Sequence, residues 1–417
     1  MRYFKVSILI GLFVSLLVIA SFEAGLFTRL DETLARLLGV RLAPGTNRVL
    51  QHALTVFFAS GIAWTTIDVP RDSLKLVIAL GALAQVVAAV WVAHLLGLFF
   101  SPFASICAIA GSTVLALFYA QTEGGTRKRL LRQVLGERVS TATFHALLDA
   151  PLPPLLDGER RDVTVVVCEI FNHDDLEEML TAPDYVALTN SFRRNASELL
   201  VERGGYLDEC DGESIRVIFG APLAQVRHTI VAAEAALALI TRLEEVNREC
   251  HAVWKQMFDF RIGINSGEMT LAAYGSRRLG AYSVAGEPAE YARRLCRANL
   301  IYGTRILLGS PSLVAAEDAI EVRPMELIQR FDDGASREEI YELLAPKHAL
   351  SDEALERRDT FWKAVIRYRE QSWNEALALF HSARTPGGTD GPVEFYIRRI
   401  EQLRAGLPSL DWNSARL

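Results

Sequence analysis

The sequence predicts three parts in series: a bundle of membrane-spanning α-helices, an α+β domain and a small helical tail. Apolar residues are concentrated in the first 121 positions, in runs long enough to cross a bilayer. From 160 to 345, β-rich runs and turn signals alternate with amphipathic helices, whereas 346–417 shows helical spacing alone. A length of 417 residues suits such a chain of two to three domains.

Composition narrows the classes of function. Hydrophobic residues make up 50% of the chain, which is high for a wholly soluble protein. The formal net charge of −6 gives no general attraction to nucleic acid, so we expect no nucleic-acid partner. The five cysteines form no C-x-x-C pair, which argues against a disulfide framework or a zinc knuckle and favours a reducing compartment for the soluble part.

Four apolar runs make up the first part, residues 1–121. A helix needs about 20 apolar residues to cross a bilayer. The first run would also fit a cleaved signal peptide, but the three further runs favour a membrane anchor. We therefore expect four transmembrane helices, at 6–22, 49–67, 74–93 and 96–120.

Basic residues set the expected orientation. The stretch TRKRLLRQVLGER at 126–138 follows the fourth run, and its positive charge predicts the cytoplasmic side. Four spans place the N-terminus on the same side and the segment 23–48 outside. We expect a multi-pass protein of the inner (cytoplasmic) membrane with a cytoplasmic α+β domain.

A linker is predicted at 122–159. It reads as an amphipathic helix, a break and a short helix that begins at Ser140 or Thr141. Two interpretations stay open: a surface helix under the membrane, or a signalling helix pair that sets the geometry of a dimer. The sequence PLPP at 151–154 marks the boundary of the next domain.

The α+β domain is predicted at 160–345. Its first strand is VTVVVCEI, and a hairpin follows at 206–219 around the tight turn at Asp211 and Gly212. The order of elements favours a sheet with helices on one face. The further elements expected are helices at 182–204, 225–250 and 288–300, and strands from 260, at 304–309 and at 338–344.

The tail, 346–417, is predicted to be a helical hairpin followed by a third helix. It weakly resembles a single tetratricopeptide-like unit, and one such unit cannot bury its apolar face alone. We therefore expect it to pack on the α+β domain, as a plain helical cap rather than a module that binds a partner. The residues expected on the shared face are Phe361, Trp362, Trp373, Ala376 and Phe380.

Two carboxylates mark the candidate site. Glu169 ends the first apolar strand, and Glu213 lies just past the hairpin turn. The hairpin therefore predicts that they lie side by side at the ends of neighbouring strands. Such a pair is typical of a site for two divalent metals and a phosphate.

These stretches together resemble the catalytic domain of class III nucleotidyl cyclases, over about 160–345. The resemblance implies a ferredoxin-like α+β fold, a dimer with its active site at the interface, and conversion of ATP or GTP to a cyclic nucleotide. The matching stretches are Glu169-Ile170, Gly212-Glu213, Phe219-Gly220-Ala221-Pro222, FRIGINSGEM at 260–269 and AYSVAGEPAEYARRL at 281–295. The overall layout is similar to bacterial cyclases with a CHASE-type outer sensor, reduced here to a short loop.

The resemblance also implies a two-metal site for Mg or Mn at the strand ends. The metal-binding positions are Glu169, Ile170 and Glu213, with Glu where the family has Asp. A Glu carboxylate extends one methylene further, and a displacement of about 1 Å can cost about 100-fold in rate.

The nucleotide-binding positions implied by the resemblance are also altered. Asn172 and His173, followed by Asp174, stand where the family has Gly-Phe-Thr, so an anion lies where phosphate should bind. Glu209 takes the base-selecting position, with Ser283 as its paired selector. Guanylyl cyclases have Glu at the position of Glu209, whereas Ser283 is typical of neither adenylyl nor guanylyl cyclases. Asp332 takes the position of the Lys that pairs with the distal phosphates.

Two catalytic positions come from the partner subunit in the family. Arg294 keeps the transition-state Arg, whereas Glu290 replaces the Asn that orients the ribose. Like charges about 5 Å apart repel by about 3 kcal/mol at an effective dielectric of about 20. Several such charges against a triphosphate favour a site with weak or lost activity.

Three functions therefore stay open. The first is a cyclase homologue in cyclic-nucleotide signalling with little or no turnover, a pseudoenzyme. The second is a working adenylate or guanylate cyclase with Glu in place of Asp, acting on ATP or GTP. The third is a non-catalytic subunit, as a homodimer or as a heterodimer with another cyclase, or a binding module whose Glu-rich pocket holds a cation or a basic molecule.

Overall fold

The computed structural model describes residues 2–39, 48–69, 72–95, 100–122, 130–150, 154, 156–275, 281–329, 337–385 and 387–405. The chain divides into two compact units. One comprises Met1–Gln133 with Leu148–Pro153, and the other Val134–Leu147 with Pro154–Leu417.

The first unit is helical throughout its described residues. Its helices are α1 (Arg2–Glu23), α2 (Thr28–Leu38), α3 (Arg48–Asp68), α4 (Asp72–Leu95) and α5 (Pro102–Gln121). Among the described residues, three stretches are long and apolar enough to cross a membrane: Phe4–Glu23, Val77–Leu95 and Pro102–Ala120.

The helix α3 covers the second predicted span but is not one of these three. It buries polar side chains inside the unit, namely Gln51, Thr55 and Thr66. The Gln51 amide donates a 2.8 Å hydrogen bond to the carbonyl of Ser101. These polar residues lower the hydropathy of the helix, so the number of spans and their orientation remain predictions.

The second unit is built on a mixed sheet. Its strands are β1 (Glu159–Ile170), β2 (Tyr206–Cys210), β3 (Ser214–Phe219), β4 (Phe260–Tyr274), β5 (Ala281–Ala285), β6 (Ile306–Gly309), β7 (Ile320–Gln329) and β8 (Arg337–Pro346). The order is β2-β3-β1-β4-β6-β8-β7, with β5 paired to β4. The neighbours β4 and β6 are parallel, whereas β1 is antiparallel to both β3 and β4. The predicted α+β class is confirmed.

The helices of this unit are α6 (Thr141–Asp149), α7 (His173–Met179), α8 (Ala182–Glu202), α9 (His228–Trp254), α10 (Glu287–Tyr302), α11 (Ser310–Ala316), α12 (Asp352–Arg369), α13 (Trp373–Ala383) and α14 (Gly391–Arg404). The main core lies between one face of the sheet and the helices α8 and α9. It joins Ile262 and Ile264 of β4 to Phe192 and Leu239 of those helices.

The helix α10 lies on the opposite face, so the prediction of helices on one face only is wrong. The reason is Gly263, which points away from its neighbours Ile262 and Ile264. A Cβ on Gly263 would lie 2.1 Å from the carbonyl oxygen of Ala292 and 2.4 Å from the nitrogen of Cys296. Only a residue without a side chain lets α10 approach β4 this closely.

The tail packs on the α+β domain, as predicted. A second core joins its helices to Tyr291 and Leu295 of α10 and to Leu307 of β6. Phe361, Ala376 and Phe380 of the predicted face are fully buried, and Trp373 packs at the edge of the cluster. Trp362 is 42% exposed, because it follows Phe361 directly and points to solvent.

Ion pairs fasten the tail to the hairpin of β7 and β8. The Arg323 guanidinium donates to Glu342 and, at 2.9 and 3.0 Å, to both oxygens of Asp390 at the start of α14. Arg399 of α14 donates to Glu326 over 2.6 Å. At the first residue of α14, the backbone itself touches the domain. A Cβ on Gly391 would lie 2.3 Å from the carbonyl oxygen of Gly303.

Candidate functional site

The two predicted metal positions are neighbours at the end of the sheet. Glu169 of β1 pairs in register with Ser214 of β3. The N–H of Ile170 donates to the carbonyl oxygen of Glu213 over 2.9 Å. The hairpin turn is closed by Asp211, whose Oδ1 accepts from the backbone N–H of Ser214 at 2.7 Å.

The Glu169 carboxylate is buried among donors of its own chain. Its side chain is 9% exposed. Oε1 accepts from Ser214 Oγ at 3.3 Å and from Arg293 Nη1 at 3.4 Å, and Oε2 accepts from Arg297 Nε at 3.4 Å. The two arginines are four residues apart on α10, so they lie on one face of that helix.

Glu213 has a different partner. Its Oε2 lies 3.4 Å from His173 Nε2, and the other ring nitrogen, Nδ1, lies 3.0 Å from Asp174 Oδ1. The Glu213 side chain is 46% exposed. The two glutamates are therefore neighbours in the backbone, but their carboxylates make separate sets of contacts.

The Asn172 side chain is used to hold the neighbouring chain segment. Its Oδ1 accepts from the N–H of Asp259 at 2.7 Å, and its Nδ2 donates to the carbonyl oxygen of Met257 at 2.9 Å. The N–H of Phe171 donates to the carbonyl oxygen of Asp259 at 2.8 Å. These bonds fix the loop before α7 against the start of β4.

Glu209, predicted to be the base-selecting residue, lies between two arginines. Its Oε1 is 2.5 Å from Arg216 Nη2, and its Oε2 accepts from Arg293 Nη2 at 2.7 Å. Arg216 also donates from Nε to Asp208 Oδ2 at 2.6 Å. A register shift between Leu207 and Glu209 in β2 leaves Asp208 as an extra residue, so two successive acidic residues can reach Arg216.

Burial and pairing act against each other in this cluster. Burial disfavours the charged Arg293, but its hydrogen bond to Glu209 and the charges of Glu209, Glu169 and Glu290 prevail and raise its pKa. Burial raises the pKa of Asp208, against the opposing charge of Arg216 and a hydrogen bond with Ser283. Ser283, the second predicted selector, therefore lies beside Asp208.

Glu290 and Arg294, the two predicted catalytic residues, lie on the exposed side of α10. The Glu290 side chain is 68% exposed, with Oε1 4.0 Å from Arg216 Nη1. Arg294 is also exposed and follows Arg293, so it lies on a neighbouring face of the helix. Asp332, predicted to contact the distal phosphates, lies outside the described residues.

Two features of the sequence indicate this cluster, and our predictions did not use them. Arg216 is a charged residue inside the apolar strand SIRVIF, and such a residue needs buried partners. Arg293 and Arg297 have the spacing of one helix face. Arg216, Arg293 and Arg297 are named here the arginine clamp.

The donor set does not fit a two-metal site. Hard divalent cations need several open carboxylate oxygens, and Mg²⁺ also keeps several waters. Both oxygens of Glu169 instead face guanidinium groups. Within the part of the chain that the structure describes, no group of three or more His, Cys, Asp or Glu side chains is arranged to hold a metal ion.

A family model supports the resemblance seen in the sequence. Residues 157–298 match the model described as "Adenylate and Guanylate cyclase catalytic domain". "Adenylate cyclase 1" of Rhizobium meliloti (strain 1021) is 27% identical over 166 residues, which cover 40% of this chain and 25% of that protein. An uncharacterized protein of Mycobacterium tuberculosis (strain ATCC 25618 / H37Rv) is 27% identical over 201 residues, 48% of this chain and 34% of that protein.

The chain thus spans about a quarter to a third of the length of these curated relatives. Among solved structures, the guanylyl cyclase Cya2 aligns with a TM-score of 0.43 and 25% identity, covering 47% of this chain and 98% of that one. The adenylyl cyclase CyaB from P. aeruginosa aligns with a TM-score of 0.42 and 23% identity, covering 47% and 100%. Residues 157–298 therefore form a domain that matches the adenylate and guanylate cyclase catalytic domain family.

Proposed function

We propose that this protein is a membrane-anchored class III cyclase homologue of cyclic-nucleotide signalling, with weak or lost conversion of ATP or GTP to cAMP or cGMP. The single observation that carries the proposal is the state of Glu169. Its two carboxylate oxygens are bound by Arg293 and Arg297 of the same chain. A carboxylate held in this way is not free to bind a cation that bridges to a triphosphate.

The rest of the cleft supports the same conclusion. Asn172 spends its side-chain hydrogen bonds on Met257 and Asp259 rather than facing an incoming phosphate. Glu290, where the family has Asn, adds a negative charge on the side of α10 that faces solvent. A triphosphate approaching this cleft would meet carboxylates instead of the N–H donors and metal ions that stabilise the transition state.

The role we propose for such a chain is that of a dimer partner. In the family, the active site lies between two subunits, and each lends residues of the helix equivalent to α10. Arg294 is exposed on α10 and keeps the family's residue type, so it could act in the site of another cyclase subunit. The helices of the first unit would hold this dimer at the membrane, through the four spans predicted from the sequence.

The alternative of a working guanylate cyclase receives less support. It would use Glu209 to accept from the guanine N–H groups, but both Glu209 oxygens already contact arginines. The alternative of an acidic pocket for a cation or a basic molecule meets the same objection, since its carboxylates are largely matched by the arginine clamp.

Turnover by the purified full chain, in lipid nanodiscs, tests the proposal. With Mg²⁺ or Mn²⁺ and either ATP or GTP, we expect product at the background of the assay, whereas a known class III cyclase serves as positive control. Glu169→Asp combined with Glu213→Asp should not restore turnover without Glu290→Asn as well. Robust product from the unmodified chain would refute the proposal.

A mixing experiment tests the partner role. The full chain is added to an active class III cyclase that co-occurs with it, and the turnover of that enzyme is measured. We expect a change in rate that Arg294→Ala abolishes. The matched control is Arg367→Ala, an exposed arginine of α12 that pairs with Glu370 just past the end of that helix and with Glu375 of α13. An effect that survives Arg294→Ala would assign the interaction to another surface.

A further inference from the structure

We infer that the arginine clamp takes the place of the divalent cations, so that this cleft holds its carboxylates together without any metal ion. The inference deepens the proposed function and rests on it, because it explains how a cyclase-type cleft persists once metal binding is lost. The inference predicts the melting temperature and the Mn²⁺ affinity of the protein, and both are measured separately from turnover.

Charge matching supports the inference. Four carboxylates meet in the cleft: Glu169, Asp208, Glu209 and Glu290. The three guanidinium groups of the clamp contact all of them, which reduces a formal charge of −4 to −1. Of the two predicted metal-binding glutamates, the clamp pairs with Glu169, whereas Glu213 contacts His173 instead.

Two arginines of the clamp each bridge a pair of carboxylates, as a metal ion would. Arg293 spans two carboxylates, with Nη1 3.4 Å from Glu169 Oε1 and Nη2 2.7 Å from Glu209 Oε2. Arg216 likewise spans Asp208 and Glu209. A planar guanidinium with several donors suits this bridging, whereas a lysine ammonium would act as a single point charge.

The helix α10 cannot easily withdraw these arginines. Gly263 brings its backbone directly against β4. Cys296 Sγ donates to the carbonyl oxygen of Arg261 at 3.1 Å, and Asn299 Nδ2 donates to that of Ile262 at 2.9 Å. Both residues lie within one turn of Arg297, so the helix segment that bears Arg293 and Arg297 is fixed to β4, the strand next to the one that carries Glu169.

Displacement by a metal is therefore unfavourable. A cation that binds Glu169 must break its contacts with both Arg293 and Arg297 and must lose its own water at a side chain that is 9% exposed. The displaced guanidinium groups would remain close to the cation and repel it, because α10 is packed and hydrogen-bonded against β4.

The first experiment uses the unmodified full chain in nanodiscs. Mn²⁺ is titrated, and its free concentration is followed by electron paramagnetic resonance. We expect no saturable binding below about 1 mM and no rise in melting temperature with Mn²⁺. Saturable binding in the micromolar range that Glu169→Gln removes would overturn the inference, and this arm needs no destabilised variant.

The second experiment uses the double variant R293Q/R297Q, which removes the two arginines of the clamp that contact Glu169. Without metal, its melting temperature should fall by about 4 °C or more, since Glu169 is left buried and unpaired. Mn²⁺ should now bind saturably and restore part of the loss, and Glu169→Gln added to the double variant should abolish this binding. The control, Arg367→Gln, should do neither. A double variant that melts like the unmodified chain and ignores Mn²⁺ would also overturn the inference.

The outcomes separate the inference from the proposed function. Tight Mn²⁺ binding with background turnover would reject the clamp and leave the dimer-partner role intact. Robust turnover without saturable Mn²⁺ binding would reject the proposed function and leave the clamp as a metal-free feature of the site.

Discussion

Two ion networks of the second unit differ in how they meet solvent. Under the tail, Arg323, Glu342 and Asp390 are all nearly buried, and the Arg323 side chain is 12% exposed. In the cleft, exposure rises from the buried Glu169 and Arg216 to the half-exposed Glu209 and the solvent-facing Glu290. The first network is closed on all sides, whereas the second opens outward.

This difference distinguishes a network that joins two parts of the chain from one that lines the candidate site. A closed network serves only to join two elements, here the tail and the β7–β8 hairpin. A network that opens to solvent leaves part of the candidate site accessible, although its charges are largely matched within the chain. Changes to the first network should therefore affect stability alone, whereas changes to the second should affect both stability and metal affinity.

The largest effect is expected from Arg323→Met. It leaves Glu342 and Asp390 buried without their guanidinium, which typically costs about 3–5 kcal/mol of folding free energy. Chemical denaturation followed by tryptophan fluorescence measures this loss. The matched variant Arg367→Met, on an exposed pair of α12, should leave the denaturation curve unchanged. An Arg323→Met protein as stable as the unmodified chain would show that the closed network does not hold the tail.

A smaller effect is expected from Gly263→Ala, which acts on the cleft through packing. The added methyl group must push α10 away from β4, and overpacking of this kind costs about 1–3 kcal/mol. The displaced helix should also loosen the arginine clamp, so Mn²⁺ affinity should rise while the tail network is kept. Gly212→Ala is the control, since nothing lies near its Cβ position. Equal Mn²⁺ affinities in both variants would mean that helix position does not govern the clamp.

The smallest effect concerns pH, through a buried network of neutral groups. His228 Nδ1 lies 2.8 Å from Thr164 Oγ1, which in turn lies 2.8 Å from Ser266 Oγ. Burial lowers the pKa of His228, against the opposing charge of Asp162. The unfolded chain then binds the proton more readily, so the histidine's contribution to stability is present above about pH 6.5 and is lost as pH falls through the lower folded pKa.

The variant His228→Asn checks this sign. The loss of stability between about pH 7.5 and about pH 5.5 should be smaller in the variant than in the unmodified chain. Asp162→Asn should have the opposite effect, because it removes the one charge that favours the protonated histidine. A pH dependence identical in all three proteins would exclude His228 as its source.

Much of the fold followed from local patterns. The first strand, the hairpin of β2 and β3, and the burial of Phe361 and Phe380 could be predicted, because apolar spacing and turn residues act within a few positions of each other. The strand β7, with the sequence IEVRPMELIQ, was not predicted. Its proline and charged residues are typical of a loop. It is a strand because its backbone pairs with β8 at the edge of the sheet, where the register shifts next to Pro324, and its Arg323 and Glu326 also pair with β8 and the tail.

The candidate site was harder to predict than the fold. Sequence motifs placed Glu169 and Glu213 on neighbouring strand ends, because that follows from the hairpin. They did not reveal that Arg293 and Arg297 reach Glu169, since α10 was expected on the same face as the other helices. Gly263 of β4 permits the close approach of α10, and this contact joins residues about 30 positions apart, which local patterns do not reveal.

The meeting of Gly303 and Gly391 has a consequence for how this architecture can be recombined. Because bare peptide groups touch there, neither position can accept a side chain unless the other segment moves. A tail transplanted from a homologue would need glycine at the position of Gly391, and the domain that receives it would need glycine at the position of Gly303. We therefore expect that the domain and the tail must be exchanged together. A chimaera designed from the helix boundaries alone would clash where these two segments touch.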